Sequence, residues 1–248
     1  MKQILKRRDL PLVCLALGGL GLVLKKGLYA LGMDALGLLT PWHLMGIGLM
    51  LVTAAALALI VTQASCCPEN TAPVGRKTAL MGGVGCFFSA AGIFLTVTLI
   101  PPLTSGYPAA AWQIFGFAAG VSQLMVGYSR LTGRKSLFFL HLLVSLFFVF
   151  HIIDHYRTWS SNPQMLDFLF SLLGMVTLAL FAFYCAAGEV GLGRSRMGLG
   201  MGLAALYFGV VELADTDFFL LFFSSIVWVY TTLQLPSPQK GEEAHDAA

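Results

Sequence analysis

Apolar positions along this chain come in long unbroken blocks, separated by short polar or proline-bearing stretches. An α-helix needs roughly 20 apolar residues to cross a hydrocarbon core of about 30 Å. Eight blocks reach or approach that length, at about 10–31, 41–64, 79–100, 108–128, 136–156, 164–187, 197–214 and 217–235. Pro41, Pro101, Pro102, Pro108 and Pro163 sit at their edges, where proline opens or ends a helix. Ala214–Asp217 alone divides the last two blocks, which demands a tight helical hairpin. The pattern predicts an all-α polytopic bundle of about eight spans. Residues 1–235 form one transmembrane domain, and the polar 236–248 segment is read as a disordered cytoplasmic tail.

Composition excludes a soluble globule. Hydrophobic residues make up 57% of the 248 residues and charged residues 11%, with a mean hydropathy of +0.80. Soluble domains carry about 25% charged residues, so the lipid bilayer must solvate most of this exterior. The net charge of +3 includes no basic patch with interleaved aromatics, which leaves a nucleic-acid role without support. Met1–Asp9 has the charge order of a signal peptide, but no small-residue cleavage site follows. It reads as the start of an uncleaved first span.

The basic residues test the count. With eight alternating spans, both termini and the even connections share one side. That side receives Lys2, Lys6, Arg7, Arg8, Arg76, Lys77, Arg130, Arg134, Lys135, Arg194, Arg196 and Lys240; the other receives Lys25, Lys26 and Arg157. The asymmetry places both termini in the cytoplasm, and a seven-span reading breaks it. Asp34, Asp154, Asp167, Glu212, Asp215 and Asp217 fall at or near the outer face. So do Tyr29, Trp42, Tyr107, Trp112, Tyr156 and Trp159, as an interfacial aromatic belt. All five cysteines map to the cytoplasmic half, where a reducing compartment keeps thiols free.

Twenty-seven glycines are patterned as well as abundant. Gly116 and Gly120 form a GxxxG, while Gly198, Gly200 and Gly202 crowd the seventh block. Small residues let helices approach closely in lipid, within the bundle or against a second copy or protein partner.

The fifth block carries the densest chemistry, in His141 and then His151-Ile-Ile-Asp154-His155-Tyr-Arg157. Offsets of three and four residues put His151, Asp154 and His155 on one helical face. Imidazole with carboxylate suits zinc or another divalent metal, and Glu212 and Asp215 on the seventh block lie at the same expected depth. The candidate binding set is Lys25, Lys26, His151, Asp154, His155, Arg157, Glu212 and Asp215, with His151, Asp154, His155 and Glu212 as the metal subset. Three readings stay open: a structural salt-bridge network, a metal site, and a substrate or ion pathway. No cofactor is required by the sequence.

Asp154-His-Tyr-Arg-Thr-Trp-Ser-Ser-Asn-Pro-Gln164, together with Gly37-Leu-Leu-Thr-Pro-Trp-His43, resembles an uncharacterised bacterial family of multi-pass membrane proteins. The resemblance implies a bacterial cytoplasmic membrane and nothing mechanistic. Three functions compete. A secondary-transport-like or small-ligand- or ion-binding protein comes first, then a membrane-embedded metal-dependent enzyme. An anchor subunit for an electron-transfer or signalling complex is the third.

Overall fold

A computed structural model describes residues 9–32, 43–66, 76–100, 107–159, 165–191, 195–216 and 218–235; the side chains of 76, 107–109, 157–159, 165–167 and 195 are not among those described. Eight helices occupy the described residues: α1 Leu10–Leu31, α2 Leu44–Cys66, α3 Arg76–Leu99, α4 Tyr107–Thr132, α5 Phe138–Trp159, α6 Met165–Glu189, α7 Ser195–Glu212 and α8 Phe219–Leu233. Each falls on one expected apolar block, and the described residues contain no strand. The 236–248 tail, Pro41, Pro101, Pro102, Pro163 and Asp217 lie outside the described residues.

Five stretches, all or most of α1, α2, α3, α5 and α6, are long and apolar enough to cross a bilayer. The shorter α8 is apolar over its 15 residues. Two helices, α4 and α7, do not meet that measure. The first carries Gln113, Ser122, Gln123, Ser129 and Arg130; the second is rich in glycine. Their polar atoms and small side chains suit protein neighbours better than lipid. Every residue of α7 from Gly202 to Glu212 is buried.

Packing follows chain order. Each of α3 to α8 lies against the next, and α8 returns to α3, so six helices close into a ring. Short connections make consecutive helices antiparallel neighbours, which accounts for the sequential order. The remaining pair, α1 and α2, packs on the outside of the ring against α7. Tyr207 Oη of α7 and Thr53 Oγ1 of α2 share a hydrogen bond at 2.8 Å. The outward faces are apolar: Leu51 and Val61 of α2 and Ile114 of α4 are 67%, 65% and 66% exposed. Without lipid these side chains would stand in water.

Glycine sets the closest approaches. Thr231 of α8 packs on Gly85 of α3, and Ser224 packs on Gly92, so any side chain at either glycine would collide. Gly116 of the GxxxG receives Val97 of α3, and Gly120 lies under Phe94. Gly202 meets Phe181 and Leu233. The glycine faces expected to bring helices together are thus used inside this chain.

Candidate functional site

Lys25 owes its position to a stripe of small residues. Cys14, Gly18, Gly21, Lys25 and Leu28 are the buried positions on the inner face of α1, spaced four, three, four and three apart. Gly18 and Gly21 let α1 settle against Tyr207, Val210 and Val211 of α7. One turn further along, Lys25 must point into the same seam. Its Nζ donates to Glu212 Oε2 at 2.6 Å, with 2% of Lys25 and none of Glu212 exposed. Ser171 of α6 donates to the other carboxylate oxygen, Oε1. The ammonium also sits 5.7 Å from the ring centre of Tyr29 and 5.8 Å from that of Phe170, within cation–π range. Lys26, rotated 100° from Lys25, is exposed.

The α5 histidines form a separate group. Trp112 Nε1 of α4 donates to His151 Nδ1 at 3.0 Å, so a neutral His151 carries its proton on Nε2. That Nε2 is buried and takes no protein partner. His155 Nδ1 donates to the His151 carbonyl oxygen at 3.0 Å and lies 3.9 Å from Asp154 Oδ2. Phe218, in the connection between α7 and α8, presents its ring edge-on to both histidines, 5.6 Å from His151 and 4.9 Å from His155. Trp112, expected in the interfacial belt, is instead 1% exposed. An indole N–H buried in a bundle needs an acceptor, and His151 supplies one.

The joint site expected from the fifth and seventh blocks is therefore divided. Helix α6 stands between α5 and α7, so Glu212 joins Lys25 and Ser171 while His151, Asp154 and His155 join Trp112 and Phe218. Asp215 is half-buried in the turn that follows α7, its backbone N–H bonded to the Glu212 carbonyl. Arg157 lies on α5, with its side chain outside those described. Among the described residues, no three His, Cys, Asp or Glu side chains converge as a metal ligand set.

A second polar group occupies the opposite end of the ring, of which the sequence singles out only His141 as candidate chemistry. Arg130 of α4 donates through Nη1 to Thr232 Oγ1 of α8 at 2.9 Å and to Cys86 Sγ of α3 at 3.4 Å. Nearby on the neighbouring pair, Ser136 donates to Glu189 Oε1 of α6 at 2.7 Å, and His141 Nε2 lies 3.7 Å from the same oxygen. Arg130 was counted only as a cytoplasmic loop charge. Its place before the end of α4, with Ser129 at its side, was the available signal that it belongs to the helix.

The chain matches no protein-family model, no curated protein and no solved structure. What can be said of its chemistry comes from its own geometry.

Proposed function

We propose that this is a multi-pass protein of the bacterial cytoplasmic membrane, with both termini cytoplasmic, that moves a small solute through the α3–α8 ring coupled to protons. The observation that carries this reading is the placement of titratable side chains at both ends of one closed ring. His151, Asp154 and His155 lie at one end, with His141 and Glu189 at the other. Ionisable groups inside a membrane bundle are costly, face its interior, and mark substrate and ion paths. Histidine and carboxylate exchange protons near neutral pH, which a fixed guanidinium cannot do. The sequence carries no nucleotide-binding motif, so a proton gradient is the energy source that this residue set supports. The metal-enzyme reading lacks a convergent ligand set among the described residues.

Flux tests it. Proteoliposomes loaded with a pH-reporting dye are challenged in turn with amides, amino acids, sugars and polyols. At least one class should change internal pH in wild type and leave it unchanged in Glu189→Gln and His151→Ala. Internal pH that follows protein-free vesicles for every class would overturn the reading.

A further inference from the structure

Most buried hydroxyls among the described residues are satisfied within their own helix. Ser122, Thr96, Thr177 and Thr231 each donate to a carbonyl four residues back, at 2.7 to 2.9 Å. Ser145 donates across to the Ala179 carbonyl at 2.9 Å. Ser89 and Ser225 do neither: each is buried, and neither hydroxyl has a partner. The side chain of Gln123 is the stronger exception. It is 0% exposed, and both its amide nitrogen and its amide oxygen lack partners. His141 adds a buried Nδ1 in the same condition. Burying an amide without hydrogen bonds is costly, and native proteins leave few such groups.

Helix register brings these four residues to one depth. Gly120 lies under Phe94 and Gly127 against Cys86, so Gln123 stands level with Ala90, one residue along from Ser89. The contacts of Thr231 with Gly85 and of Ser224 with Gly92 place Ser225 within a turn of Ser89. Trp112 meets His151 and Gly116 meets Phe147, which sets Gln123 opposite Leu140 and His141. Four helices of one ring therefore contribute donors and acceptors at one depth, and only His141 among them adjoins a charged group, its Nε2 3.7 Å from Glu189 Oε1. Arg130 lies seven residues from Gln123, about 10 Å along the axis.

We infer that Gln123, Ser89, Ser225 and His141 form a binding site inside the ring, with His141 closing it toward the Glu189 end, for a small uncharged solute bearing an amide or hydroxyl groups. Gln123 offers one donor edge and one acceptor edge, matching an amide in the manner of a base pair. Ser89 and Ser225 supply hydroxyls that can donate or accept, and His141 Nδ1 completes the set. An anionic solute would meet the Glu189 carboxylate beyond His141 and no cation at the depth of Gln123, so its desolvation would go uncompensated. The inference deepens the transport reading and rests on it for the route by which solute arrives.

Alkylation of a cysteine placed in the layer tests binding without requiring transport. With the native cysteines replaced by serine, Ser225→Cys is treated with iodoacetamide, a neutral amide, and with iodoacetate, its anionic counterpart. Ser89→Cys serves if the first variant does not fold, and lipid-facing Val121→Cys is the dry control. The ratio of amide to anion rates should exceed that of free cysteine by about tenfold, the worth of one added hydrogen-bonding partner. Excess acetamide should slow the reaction, and adding Gln123→Leu should abolish both effects. Overturning results are a cysteine as unreactive as Val121→Cys, or one that reacts without amide preference and without acetamide protection. Alkylation with the expected preference but no solute-linked pH change in vesicles would leave the site standing and remove the transport reading.

Discussion

Two polar regions of this bundle are buried to the same degree and treated in opposite ways. At the α1–α7 seam, Lys25, Glu212 and Ser171 are partnered with one another: the ammonium meets one carboxylate oxygen, the serine hydroxyl the other, and two aromatic rings flank the cation. In the middle of the ring, Gln123, Ser89 and Ser225 offer four polar atoms to no protein partner. The contrast separates groups that hold helices together from groups kept in reserve. A closed network locks α1 onto the ring, while an open one keeps its hydrogen-bonding capacity for something that is not part of the chain.

The closed network gives the largest effect when broken on one side. Glu212→Leu leaves the Lys25 ammonium buried without its anion and should cost about 3–5 kcal/mol of stability. Thermal unfolding in detergent would register that loss, and the double variant Lys25→Met with Glu212→Leu should recover most of it. Exposed Lys26→Ala should leave the midpoint unchanged. A double variant as unstable as the single one would show that the pair contributes more than mutual neutralisation.

Overpacking the ring closure comes next. Gly92→Val drives a side chain into Ser224 and should cost about 1–3 kcal/mol. The same change at Gly19, which faces open space, should be far milder in the same unfolding assay. Equal losses at the two positions would argue against a close α3–α8 contact.

The smallest expected effect lies at the histidine end. Trp112→Phe removes the donor to His151 Nδ1 while keeping an aromatic body, for a loss of about 1 kcal/mol. The imidazole nitrogen shifts of His151 would move with it, because its tautomer is no longer fixed. Unchanged nitrogen spectra would mean that the indole does not set the proton's position.

These comparisons also mark what the sequence could and could not say. All eight helices were legible, because apolar length is a one-dimensional signal and prolines mark its ends. Lys25 and Lys26 stood together as candidates, and the Gly18 and Gly21 stripe that selects Lys25 became apparent only with α1 packed on α7. An expected common depth along the membrane, as for His151 and Glu212, says nothing about which helices are neighbours. Chain order supplied that information, with α6 interposed between α5 and α7. Gln123 escaped notice for a different reason. A single neutral amide in an apolar block changes neither hydropathy nor charge, and its lack of partners emerges only when four helices are assembled around it.

Unfolding and solute response of Gln123→Leu, measured side by side with Glu212→Leu, test the division between the two regions most directly. If Gln123 is held in reserve, removing its unpartnered amide leaves the unfolding midpoint equal to wild type or higher, while the acetamide protection of Ser225→Cys disappears. A midpoint that falls as far as that of Glu212→Leu, with acetamide protection intact, would contradict the account.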